Sequence, residues 1–150
     1  MRKALNLIWH RNLLAAAALA IVVTPQFLRA DPGTRQCPMQ NATMQGTYVA
    51  TGTGTLTTVM GNVPITVVSL VVYNGDGSGQ AISGTTVVNG ASSVSGTAPA
   101  TFTVNLDCTG QKTIGTTHFN FIITPDGNTI HWIVTDNGVT MSGTGVRQGR

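Results

Sequence analysis

From Gly46 onward, apolar and polar residues alternate with a period of two, and the pattern is clearest over residues 118–136, HFNFIITPDGNTIHWIVTD. Asp126-Gly127 between two alternating runs is a hairpin signal. Taking these two residues as the loop sets Thr124 opposite Thr129, Ile122 opposite His131, Asn120 opposite Ile133 and His118 opposite Thr135. One face then collects Phe119, Phe121, Ile123, Ile130, Trp132 and Val134. The other carries His118, Asn120, Ile122, Thr124, Thr129, His131, Ile133 and Thr135. The first face holds most of the large side chains and is the expected core.

The same period runs through the rest of the chain. Tyr48, Ala50, Gly52, Gly54 and Leu56 alternate with threonines and Val49, which predicts a half-buried strand over 46–57. Pro64 to Tyr73 has no polar face: Ile65, Val67, Val68, Leu70 and Val72 mark it as covered on both sides or as a strand that meets a partner. After the turn Asn74–Gly79, a strand over 81–88 returns. Val94, Gly96, Ala98, Ala100, Phe102, Val104 and Leu106 predict one inward set over 94–106, with Pro99 implying an edge or a bulge. A weak strand over 112–116 precedes the central hairpin, and a last strand over 139–147 turns Val139 and Met141 inward. No stretch after residue 31 has the capped 3.6-residue period of a helix.

About eight strands at a spacing of roughly 8–12 residues, joined by short Gly-rich turns, predict an all-β antiparallel up-and-down barrel, with a sandwich as the alternative. Glycines inside strands, at 52, 54, 84, 96, 143 and 145, favour the barrel because they permit sharp coiling. An outer-membrane barrel fits poorly. The aromatics fall in the expected core and the opposite faces are rich in threonine.

The first thirty residues belong to a different class of segment. Arg2, Lys3 and Arg11 precede an apolar run over 13–23 and a more polar stretch ending at Ala30, the layout of a secretory signal. An uncleaved membrane anchor is the competing reading, but the run is short of the roughly 20 apolar residues a spanning helix needs. The expected organisation is a signal over 1–30, a lead-in over 31–45 and one barrel domain over 46–150. The formal charge of +3 belongs to the whole chain. Beyond residue 30, Arg35, Lys112, Arg147 and Arg150 stand against five aspartates, a net charge of −1. That balance and the absence of a basic run give no support to nucleic-acid binding. The exported destination is periplasm, cell surface or medium, with no stable membrane insertion after signal cleavage.

Cys37 and Cys108 are the two cysteines, and in an exported chain they read as one disulfide. Catalytic or metal chemistry is the alternative, but there is no CxxC, and His118 and His131 lack zinc-type spacing. Asn74–Gly79 has the oxygen side chains of a calcium loop at its start but Thr85 where that loop needs a glutamate, so a hairpin turn explains it better. Asp107 and Asp136 each begin a turn, as Asx residues do. Asn41-Ala42-Thr43 fits the glycosylation acceptor pattern. No catalytic constellation, metal set or cofactor site can be assembled.

The mature chain resembles a group of small exported bacterial proteins of uncharacterised function. The residues that carry the likeness are Cys37 before Gly46-Thr47-Tyr48, then Tyr73-Asn74-Gly75-Asp76-Gly77, Asp107-Cys108-Thr109-Gly110, His118-Phe119-Asn120-Phe121 and Ser142-Gly143-Thr144-Gly145. More loosely, the group is similar to the calycin-like barrels that include allene oxide cyclases and dirigent proteins. The resemblance implies a barrel with one disulfide. No cyclase catalytic residue maps onto this chain, which contains no glutamate.

The inward residues Tyr48, Leu56, Phe102, Phe119, Phe121, Trp132 and Met141 either fill a core or line a dry pocket for a small apolar molecule. The leading expectation is a non-enzymatic barrel that binds such a ligand, or a protein partner or second copy along Ile65, Val67, Val68, Leu70 and Val72. A cyclase- or isomerase-type enzyme and a structural, surface-exposed protein are the alternatives.

Overall fold

The computed structural model describes residues 36–149, so the expected signal over 1–30 lies outside them. Nine strands follow a short 3-10 turn, Gln40–Thr43. They are β1 (Gln45–Thr58), β2 (Gly61–Asn74), β3 (Ser78–Val88), β4 (Ala91–Ser95), β5 (Ala98–Val104), β6 (Thr109–Ile114), β7 (Thr117–Ile123), β8 (Thr129–Val134) and β9 (Val139–Arg147). All pairings are antiparallel. The order β2-β1-β9-β8-β7-β6-β5-β3 is closed by pairing of β2 with β3, which makes an eight-stranded up-and-down barrel. β4 is an extra strand carried on β3. Closure leaves no open sheet edge in the barrel itself and settles the sandwich alternative.

The central hairpin has the expected register: Asn120 pairs with Ile133, Phe121 with Trp132 and Ile122 with His131. Phe119, Phe121, Ile123, Ile130, Trp132 and Val134 are all buried. The loop is wider than two residues. Pro125 to Asn128 bridge the strands, the Gly127 N–H donates to the Thr124 carbonyl, and Gly127 adopts φ +69°. A side chain there would also run into the Thr43 carbonyl and the Arg147 guanidinium, so Gly127 is required twice over.

The reading of 94–106 as one strand is corrected. Gly84 to Val88 of β3 pair with β4, whereas Ser78 to Ala81 pair with β5. The chain therefore breaks at Gly96-Thr97, where alternation alone showed no interruption. Val94 and Leu106, expected inward, are exposed, while Ala100, Phe102 and Val104 are buried. Pro99 sits where the β3 ladder changes partner, at the start of β5, a place that needs no ladder donor from it.

Two glycines have a packing role that coiling did not reveal. Gly52 and Gly143 face each other across β1 and β9, and a Cβ at either would collide with the Trp132 indole. The indole thus lies across two neighbouring strands on surface that only glycine leaves free.

The barrel's two ends differ. The turns β2–β3, β5–β6 and β7–β8 share one end with the lead-in segment. Cys37 and Cys108 form a disulfide there, with Cα atoms 5.1 Å apart and a sequence separation of 71, a cross-link worth about 4 kcal/mol in the chain-entropy account. Both cysteines and Met44 are fully buried. Tyr48 donates to the Gly127 carbonyl and accepts from Arg147 Nε and Nη2 at 3.2 and 3.1 Å, while Nη2 also reaches the Thr43 carbonyl at 2.9 Å. Asn41 is committed to the same end: its Oδ1 accepts from the Val104 N–H at 2.8 Å, so this amide is tied into the fold. Inside, Tyr48, Tyr73 and Phe102 pack edge to face, with ring centroids 5.5 and 5.2 Å apart.

Candidate functional site

The other half of the interior is lined by small side chains. On β1, β2, β3 and β5 the inward residues away from the disulfide-bearing end include Ala50, Ser69, Ala81 and Ala98, with Met141 and Val139 contributed by β9, the neighbour of β1. Large residues on one half and small ones on the other leave a cavity of about 400 Å³. Its walls are mostly apolar, contributed by Ile65, Val67, Ile114, Phe119, Trp132 and Met141, with hydroxyls from Ser83, Ser95, Thr86 and Thr117 toward the rim.

Lys112 is the unexpected member of this lining. Alternation along β6 turns Gly110, Lys112 and Ile114 inward, and the β6–β7 pairing sets Lys112 directly opposite Phe119. The residue is only 5% exposed. Its Nζ donates to the Tyr73 hydroxyl at 3.2 Å and lies 5.0, 5.6 and 5.8 Å from the ring centroids of Phe119, Trp132 and Tyr73. Aromatic faces attract a cation, but among the described residues no carboxylate pairs with it. Burial without a counter-ion penalises the ammonium and pushes its pKa down to about 7. Tyr73 is moved the other way: burial, then the neighbouring Tyr48, holds its hydroxyl protonated. The Nε1–H of Trp132 is buried and has no hydrogen-bond partner among the described residues. Phe119 and Trp132 meet edge to face at 5.4 Å, side by side against the amine.

Of the residues anticipated as pocket lining, Phe119, Trp132 and Met141 border the cavity, while Tyr48, Phe102 and Phe121 pack toward the closed end and Leu56 is half-buried near the open end of β1. The apolar strand divides in two. Ile65 and Val67 line the cavity, whereas Val68 is exposed and Leu70 and Val72 are half-buried on the outside. β2 is hydrogen-bonded on both sides, to β1 and β3. Lys112 escaped the sequence reading because a lysine counts as polar in a hydrophobic pattern. The signal that finds it is register, since a hairpin turning at Gly115-Thr116 forces Lys112 opposite Phe119.

A larger concavity of about 730 Å³ lies on the outer face, bordered by side chains that include Thr103, Gln111, Asn120, Ile122, His131 and Ile133. It is an open groove without a buried titratable group, so the smaller interior cavity is the chemically distinctive site.

The remaining candidates are structural. Asp76, Asp107 and Asp126 each accept hydrogen bonds from the residue two positions on, Ser78, Thr109 and Asn128. These bonds lower their pKa values, led by the side chains of Ser78, Thr109 and Thr124 respectively. Asp136 departs from the expected local turn: its carboxylate takes the His118 N–H at 3.0 Å and Nδ1 at 2.7 Å across the sheet. That pair is solvent-exposed at the rim, and Asp136 borders the cavity mouth. Among the described residues no three His, Cys, Asp or Glu side chains form a metal-holding group, and no helix is long and apolar enough to cross a membrane. No family model, curated protein or solved structure matches the chain.

Proposed function

We propose that this chain is an exported, non-enzymatic barrel that binds a small apolar molecule in its interior. The observation that carries this reading is the cavity of about 400 Å³, mostly apolar-walled, with a few hydroxyls and the buried Lys112 in its lining. Binding sites for small molecules have this make-up: a mostly hydrophobic concavity with a few polar groups that fix orientation. A core that served packing alone would fill the space with larger side chains, because interiors pack to the density of organic crystals. Ala50, Ala81 and Ala98 leave it empty. The signal-like segment over 1–30 and the disulfide support an exported destination.

The test is displacement of a fluorescent apolar probe, N-phenylnaphthylamine, by octanol. The probe should brighten on binding, and Ala98→Leu, which fills the cavity near its mouth, should abolish the signal while leaving the melting temperature within a few degrees. Absence of probe binding, or binding unchanged in Ala98→Leu, would sink the reading.

The outer patch of Val49, Val68, Leu70 and Val94 favours a second reading, docking of a protein partner or another copy of the chain. A concentration-independent monomer that captures nothing through this face would remove it.

A further inference from the structure

We propose that Lys112 captures an apolar aldehyde in the barrel as a covalent imine. The inference rests on the ligand-binding reading above and gives the ligand a chemical class. Lys112 and Lys3 are the two lysines of the whole sequence, so Lys112 is the single lysine of the barrel. It is buried, borders the cavity and has no carboxylate partner among the described residues. A structural lysine in such a place would be an odd choice, since an uncompensated ammonium in an apolar interior is destabilising. An amine freed of its proton by burial is, by contrast, a nucleophile.

The neighbouring groups suit the condensation. The Nζ lone pair attacks the carbonyl carbon, a C–N bond forms, and the carbonyl oxygen becomes the hydroxyl of a carbinolamine as a proton passes from nitrogen to oxygen. The Tyr73 hydroxyl, 3.2 Å from Nζ, relays that proton. Loss of the hydroxyl together with the remaining N–H proton then gives the C=N bond and one water. The amine and the aldehyde are the only reactants, and nothing is oxidised or reduced. The rings of Phe119 and Trp132 and the small alanines leave an apolar space for the hydrocarbon part.

A carboxylate ligand fits less well. It would have to shed its hydration and would require Lys112 charged, so that two ions enter an apolar interior together. A neutral aldehyde meeting a neutral amine avoids both desolvation costs. The nearest acid at the mouth, Asp136, is engaged by His118.

The experiment incubates the full chain with octanal and cyanoborohydride, then locates the reduced octyl group by peptide mass mapping. Octanol and octanoate are compared as probe displacers in the same buffer. The expected result is one octyl group on Lys112, formed much faster than on the N-terminal amine or Lys3, and absent in Lys112→Met. Tyr73→Phe should slow trapping by roughly tenfold or more while octanol still displaces the probe. If octanol displaces the probe but Lys112 is labelled no faster than the other amines, the imine is overturned and ligand binding stands. Octanoate binding far more tightly than octanol, without an aldehyde adduct, overturns it in favour of an ionic head group. If neither octanol nor octanal enters, both readings fall.

Discussion

Replacing Lys112 by methionine should make this protein more stable, and the gain should depend on pH. An ordinary lysine releases its proton near 10.5, whereas burial brings Lys112 to about 7. At about 1.36 kcal/mol per pH unit, that difference amounts to roughly 5 kcal/mol of penalty on the ammonium inside the barrel. The sign follows from proton counting. Below about pH 7 the lysine is protonated in both folded and unfolded chains, and the full penalty is present. Between 7 and 10.5 the unfolded chain binds more protons than the folded one, so stability rises with pH. Above 10.5 both states are neutral and the penalty is gone.

Lys112→Met keeps an unbranched chain of similar volume and gives up one hydrogen bond to Tyr73, worth about 1 kcal/mol. The variant should therefore gain about 4 kcal/mol at pH 6, and the gain should vanish before pH 10. The assay is urea unfolding of both proteins, with the disulfide intact, from pH 6 to 9.5. His118 and His131 are common to both chains and cancel in the difference. A variant less stable than the parent at pH 6, or a gain that does not change with pH, would refute the placement of Lys112 as an unpaired buried amine.

Four other outcomes follow from the packing and the surface. Gly143→Ala drives a methyl group into the Thr51 carbonyl and the Trp132 ring and should cost at least the 1–3 kcal/mol typical of overpacking, read by chemical denaturation; a neutral effect would contradict the close approach of β1, β9 and the indole at this point. Trp132→Ala should cost about 3–5 kcal/mol, and a loss below 1 would place this side chain outside the core. Cys37→Ser should lower stability by about 4 kcal/mol through loss of the 71-residue cross-link, and an unchanged melting curve would contradict it. Asp136→Asn weakens an exposed pair and the bond to the His118 N–H, and near neutral pH it should leave the melting temperature almost unchanged, because exposed pairs add little; a large drop would contradict its placement at the rim.

The central hairpin was legible because each signal agreed: period two, large residues on one face and turn residues between. Strand number and the disulfide followed from similar regularities. The split of residues 94–106 was hidden because Ser95-Gly96-Thr97 continues the alternation, and nothing local says that β3 changes partner midway. The cavity was hidden for a related reason. Pattern reading weighs large apolar residues such as Phe102 and Phe121, yet these pack toward the closed end. The space is made by Ala50, Ala81 and Ala98, whose smallness becomes a property only when closure sets them around one axis. Lys112 entered the sequence reading only as a charge, and strand register is what carries it inside.

The interior of this barrel is held to be a ligand site and not a packed core. Its most direct test is native mass spectrometry of the protein purified from the cells that make it, repeated after octanol is added. The account predicts extra mass of small-molecule size on the native chain, or, for an empty chain, one octanol bound and lost in Ala98→Leu. A bare chain that takes up no octanol would contradict it.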